Sequence, residues 1–209
     1  MSTRTPTILI HGLWFRSPVM WALGRDLEKI GLDVRYYNYS TTRAPTSASI
    51  ERLAELIDRA GPRVNIVGHS MGGLLAIEAA HVSKAGAGTI VALGSPFQGS
   101  AAARWVARSK IGSGLLGHAA DFFEHEFQLP NQERWKVGII AGSTGMGLGT
   151  LTRVLSGAHD GTVTVEEASL PGASKLVVPA SHTSMLWSSH VKEQLKQFLT
   201  AGEFRSSAS

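Results

Sequence analysis

The stretch Ile66-Val67-Gly68-His69-Ser70-Met71-Gly72-Gly73 decides how the rest of the chain is read. Before it, Arg63–Val67 is apolar and β-branched, which predicts a buried strand. After it, Leu74–His81 is apolar, Ala-rich and helical in pattern. Between them stands Gly-x-Ser-x-Gly, the composition a strand needs to turn sharply into a helix with a serine at the apex. Gly68 and Gly72 remove side chains where strand and helix nearly touch, while Ser70 must accept a strained backbone. Such a turn exposes the Ser70 hydroxyl and aims the helix N-terminus, with the Met71 N–H, at negative charge developing beside it. The plainer reading of the same residues is a glycine-rich βα turn whose serine caps the helix. The surrounding chain separates the two.

Upstream, Thr7–Ile10 predicts a buried strand that runs into His11-Gly12-Leu13-Trp14. Ser17-Pro18 reads as a cap and first-turn proline of a helix carrying Met20, Leu23, Leu27 and Ile30 at helical spacing, with Gly31 as its stop. Asp33–Tyr39 predicts a second strand. A helix then carries Ile50, Leu53, Leu56, Ile57 and Ala60, capped by Ser47 or Ser49 and ended by Gly61-Pro62. Downstream, Thr89–Leu93, Lys136–Ala141 and Lys175–Val178 predict strands, and Trp187–Leu199 a closing helix. The segment 97–134 differs, with aromatic residues among polar ones and two short amphipathic helices near Ala101–Arg108 and His118–Glu126. Gly142–Gly149 is a glycine-rich loop. The tail Gly202–Ser209 is expected to fray.

Strands alternating with helices predict one α/β domain over residues 1–209, with a doubly wound, mainly parallel six-stranded sheet and a small lid-like insertion at 97–134. A chain of 209 residues with 43% hydrophobic and 17% charged residues suits that single core. The formal charge of +4 comes from scattered Lys and Arg, so no nucleic-acid partner is expected. With no cysteine, thiolate catalysis and Cys-based metal sites are excluded. No apolar run reaches the ~20 residues of a membrane span, and Met1–Thr7 lacks a signal-like core; a cytoplasmic location is expected. Oligomeric state is left open.

In such a sheet, ligands gather beyond the C-terminal ends of the strands. His11-Gly12-Leu13, Ser70, Asp160 and His182 all follow strands. A serine hydroxyl needs a base to become a nucleophile, and His182, after the last strand, is the natural one. Asp160 would fix its tautomer, and the order Ser, Asp, His is that expected with this kind of elbow. Glu166 is the second choice of acid; Glu167 and Asp121 read as solvated. His11, His69, His159 and His190 read as structural. Two backbone donors, Leu13 N–H and Met71 N–H, are the expected oxyanion hole. No His-Glu-x-x-His or similar spacing calls for a metal, and no cofactor is expected.

These pieces together resemble the α/β-hydrolase superfamily, in particular its small bacterial lipases and esterases, including the group similar to GPI inositol-deacylase-like hydrolases. The resemblance rests on strand plus HGLW at Ile8–Trp14, GHSMGG at Gly68–Gly73, GSPFQGS at Gly94–Ser100, DGTV at Asp160–Val163, and Ser181–His182. It covers nearly the whole chain. It implies a Ser70, Asp160, His182 triad, oxyanion donors at Leu13 and Met71, and acyl transfer to water through an acyl-serine. Many such lipases carry histidine where Phe97 stands, and the first strands of larger members are missing here. Trp14, Phe97 and the insertion aromatics are expected either to flank an apolar acyl chain of a small ester substrate or to pack the helices down. An acyltransferase or thioesterase, a peptidase or amidase, and a non-catalytic binding module on the same fold are the rival readings.

Overall fold

In the computed structural model, residues 4–145 and 154–205 are described. Six strands form one sheet: β1 (Pro6–Ile10), β2 (Asp33–Tyr37), β3 (Val64–His69), β4 (Gly88–Leu93), β5 (Trp135–Gly142) and β6 (Ser174–Val178). Their spatial order is β2-β1-β3-β4-β5-β6, and every neighbouring pair is parallel. Among the described residues the helices are α1 (Trp21–Glu28), α2 (Thr46–Ala60), α3 (Met71–Val82), α4 (Ala101–Ala107), α5 (Lys110–Leu116), α6 (Ala119–Phe122) and α7 (Ser189–Ala201). Single 3₁₀ turns cover Ser17–Met20 and Ser184–Leu186.

Parallel strands must be covered on both faces, and the two-residue period of the strands sorts their side chains accordingly. Ile8, Ile10, Ile66, Ile90, Ala92 and Ile139 face one core, closed by Leu53 and Ile57 of α2, by α3, and by Phe97, Phe122 and Phe127. Leu9, Val67, Val91, Leu93 and Ile140 face the other, closed by Leu23 and Leu27 of α1 and by Val191, Leu195 and Phe198 of α7. Helix α3 is buried along almost its whole length, which explains why its sequence is apolar all round.

Several local expectations are corrected. Ser17 does not cap a helix; it is buried, its N–H bonded to Asn38 Oδ1 (2.9 Å) and its Oγ accepting from Asn38 Nδ2 (2.8 Å). Neither Ser47 nor Ser49 caps α2, whose N-cap is Pro45 without a side-chain bond. Ser49 lies inside the helix, and its carbonyl accepts from the Tyr37 hydroxyl at 2.7 Å. The insertion holds three helices rather than two, with α5 capped by Ser109. The start of the tail is tied down: Phe204 packs on Phe198 with ring centroids 4.5 Å apart, and Gln194 accepts from Arg205 N–H at 2.9 Å. The second half of the glycine-rich loop expected at Gly142–Gly149, residues 146–149, falls outside the described residues. No described helix is long and apolar enough to cross a membrane.

Candidate active site

The turn from β3 into α3 has the form its sequence demands. Ser70 sits at φ 53°, ψ −124°, a conformation rare for a residue with a side chain. A Cβ at Gly68 would lie 2.4 Å from the Gly72 carbonyl oxygen, so strand and helix meet there only because the side chain is missing. The strain is held in place by the sheet, since Ser70 N–H bonds to the Leu93 carbonyl at 2.8 Å. As the first helical residue, Met71 has an N–H with no intrahelical partner.

The spatial order reverses at β1 and β3, and ligands of open parallel sheets bind beyond that switch point. There the loop after β1 presses on the serine: a Cβ on Gly12 would stand 3.0 Å from Ser70 Cβ. Leu13 follows and lines the same cavity as Ser70. His11 is buried, stacks on Tyr39 at 4.6 Å, and its carbonyl accepts from the Tyr39 hydroxyl at 2.9 Å. Burial, foremost, lowers its pKa. It orders the loop and does not reach the cavity lining.

On the other side of the elbow, Asp160 is fully buried and both its oxygens are engaged. Oδ1 accepts from the N–H groups of Thr162 (2.8 Å) and Val163 (2.7 Å), and Oδ2 accepts from His182 Nδ1 at 2.7 Å. The backbone repeats the pairing, with His182 N–H bonded to the Asp160 carbonyl at 2.8 Å. An ionised carboxylate only accepts, so Nδ1 carries the imidazole proton and Nε2 keeps its lone pair. Gly94, at the end of β4, makes room for this pair: it has φ +57°, and a Cβ there would lie 3.0 Å from Asp160 Oδ2 and 3.1 Å from His182 Nδ1.

Ser70 and His182 line one cavity of about 200 Å³. The two side chains are not hydrogen-bonded to each other in this arrangement. The remaining wall is mostly apolar, including Ala102, Val106, Leu116, Phe123 and Val163. Trp14 stands at the mouth, 55% exposed and at φ 61°. Its indole N–H donates to the Leu115 carbonyl at 3.0 Å, which ties the loop after β1 to the end of α5. Phe97 stands apart from the lining: it is fully buried and meets Phe127 edge-on at 6.1 Å.

Two residues do more than their sequence reading allowed. His69 is buried, and its Nε2–H donates to the His182 carbonyl at 2.9 Å, with ring centroids 4.8 Å apart. Burial, and next the neighbouring His182, push its pKa down to about 3, so it is a neutral support beneath the His182 loop. Glu167 is not solvated. It is buried, accepting from Ala101 N–H (2.6 Å) and Thr164 N–H (2.8 Å), and so links the Asp160 loop to the start of α4. The signal available in sequence was only its place seven residues after Asp160. Glu166 and Asp121 are exposed, as is His190. His159 accepts from Gly161 N–H at 3.1 Å within its own loop. Among the described residues, no three His, Asp or Glu side chains gather as a metal site would require.

A model of the alpha/beta hydrolase family matches residues 7–193 of the chain. The protein belongs to the α/β-hydrolase family. Solved structures of the same fold include a Bacillus licheniformis lipase in its propeptide form, at 21% identity and TM-score 0.69. The match covers 100% of this chain but 52% of that one, so this chain spans about half the length of the lipase. A structure from a study of Nitrososphaera gargensis carboxylesterases matches at 14% identity and TM-score 0.67, covering 96% and 92% of the two chains. A Palaeococcus ferrophilus monoacylglycerol lipase matches at 14% identity and TM-score 0.60, covering 95% and 96%. No curated protein matches this chain significantly. None of these matches singles out the GPI inositol-deacylase-like group.

Proposed function

We propose that this α/β hydrolase is a serine carboxylester hydrolase. The observation that carries the reading is that His182, bonded to the buried Asp160, lines one cavity with the strained Ser70. His182 Nε2 takes the Ser70 proton as Oγ attacks the ester carbonyl. Leu13 N–H and Met71 N–H receive the resulting oxyanion, and Asp160 stabilises the imidazolium. The tetrahedral intermediate collapses, the alcohol leaves with the proton from His182, and an acyl-serine remains. Water, deprotonated by His182, then releases the acid and restores Ser70. A serine–histidine bond that is long without substrate and tightens on binding is usual for such sites.

The apolar wall given by α4, α5 and Phe123 fits an acyl chain, and the segment 97–134 acts as a small lid held by Trp14. The cavity volume of about 200 Å³ favours short to medium chains. The purified protein should hydrolyse p-nitrophenyl butyrate and should be labelled by a fluorophosphonate probe. Ser70→Ala should lose both, with a fall in kcat on the order of 10⁴–10⁶-fold. Undiminished turnover by a clean Ser70→Ala sample ends the proposal.

A further inference from the structure

Beside the catalytic cavity, and sharing Trp14 and Phe15 with it as a common wall, runs a second groove of opposite character. Its lining includes Arg16, Arg43 and Arg52 and not one carboxylate. All three arginines are exposed, and none takes part in an ion pair among the described residues. Three like charges left facing one groove repel one another, and a site that gathers them without a counter-charge is complementary to an anion.

The groove is also firmly built. The loop that carries Arg43 is fixed just before it: Trp14 N–H donates to Thr41 Oγ1 at 3.3 Å, and His118 N–H to the Thr42 carbonyl at 3.1 Å. Arg43 N–H itself donates to Ser40 Oγ at 3.2 Å. Arg52 is steadied by its Nε–H bond to the Ala48 carbonyl at 3.1 Å. Buried Ser17 and exposed Asn38, bonded to each other, also line the groove. Guanidinium groups gathered this way present forked donors that match the oxygens of a phosphate or carboxylate.

From this we infer that the substrate carries an anionic group, a phosphate or carboxylate, on the part of the ester that projects from the apolar cavity past Trp14 and Phe15 into the arginine groove. The inference rests on the esterase reading for its chemistry, since it places the scissile bond at Ser70. The two halves of the substrate are then sorted by environment: the apolar chain under α4 and α5, the charged end against Arg16, Arg43 and Arg52. A neutral ester would fill the first and leave the three cations without a partner.

The test is a binding measurement on the intact Ser70→Ala chain, so that it does not depend on turnover. Octyl phosphate, kept below aggregation, is titrated by calorimetry beside octyl glucoside as an uncharged counterpart. Octyl phosphate should bind at least about tenfold more tightly. That advantage should shrink with added sodium chloride and vanish in Arg43→Gln/Arg52→Gln, whose thermal melt is recorded to show that it is folded. The Lys/Lys version, which keeps the charge and loses the fork, should retain an intermediate share and serves if the Gln pair does not fold. Vesicles of phosphatidylcholine with and without phosphatidylglycerol separate the sources of the anion. Monomer binding assigns it to a soluble substrate, whereas arginine-dependent vesicle binding without monomer binding assigns it to a lipid headgroup. Equal binding of the two amphiphiles with arginine-independent vesicle binding, or a charge preference that survives loss of both arginines, overturns the inference. Loss of p-nitrophenyl butyrate turnover as a property of the native protein would instead overturn the esterase reading, and the two results are independent.

Discussion

At the scale of single residues, the site depends on how little freedom is left to the Asp160–His182 pair. Asp160 spends one oxygen on two backbone amides and the other on the imidazole. Asp160→Asn would keep the shape but offer His182 a donor as readily as an acceptor, so the wrong tautomer becomes populated. Ester hydrolysis should fall on the order of 10³–10⁴-fold in kcat, with KM little changed, in steady-state assays. Gly94 meets two demands at once, a positive φ and a space that a Cβ would invade at 3.0 Å from the Asp160 carboxylate. Gly94→Ala should therefore push the acid and base apart. The expected result is a kcat loss of at least about tenfold together with a lowered melting temperature. The turn at Asp160 was readable from Asp-Gly-Thr-Val, because an aspartate before a tight turn bonds the amides two and three residues on. The service of His69 was not readable, since its partner is a carbonyl 113 positions away.

At the scale of elements, the insertion is attached to the site through specific polar links as well as apolar packing. Glu167 fastens the start of α4 to the Asp160 loop, and Trp14 fastens the end of α5 to the loop after β1. Glu167→Gln replaces one accepting oxygen with a donor that faces a backbone N–H. It should cost about 1–3 kcal/mol in denaturant unfolding and speed amide exchange in α4 more than in α2. Strands and long helices were legible within three residues because their periodicity is dense. Caps were less so. Ser17 looked like a cap from its neighbour Pro18, yet Asn38, 21 residues on, captured it. Helix α5 escaped detection because its sequence, Lys110-Ile111-Gly112-Ser113-Gly114-Leu115-Leu116, contains two glycines and leaves Ile111 79% exposed. Its stability comes from the Ser109 cap and from contact with its neighbours.

At the scale of the molecule, two kinds of buried or paired ionisable group set the response to acid. His69 falls from its ordinary 6.5 to about 3, with burial as the main cause. Below pH 6.5 the unfolded chain takes up a proton that the folded chain refuses, so stability declines down to about pH 3, by at most ~1.4 kcal/mol per pH unit. Asp26 falls from 3.8 to about 2 because Lys192 and Lys29 bond to it, at 2.8 and 2.9 Å, the first joining α1 to α7. Its contribution is present above about pH 4 and is lost as pH falls towards 2; being partly exposed and screened, it is worth ~1 kcal/mol or less. Chemical denaturation across pH 2–8 should show the larger decline in the upper window. His69→Gln, which retains a donor for the His182 carbonyl and cannot titrate, should make that upper decline shallower, leaving the share due to buried His11, and leave the lower one unchanged.

The chain by itself determined the six parallel strands and the elbow at Ser70, because each is written in local signals: two-residue and 3.6-residue periods, glycines at a crossing, turn residues after strands. Tertiary structure alone decided that Asp160, and not the exposed Glu166, meets His182, that Phe97 joins the core instead of the cavity, and that Arg16, Arg43 and Arg52 share one groove. Those outcomes depend on which side chains far apart in sequence come within a few ångströms once the sheet is closed on both faces. Burial and hydrogen-bond competition settle that, and neither has a period that a linear sequence can display.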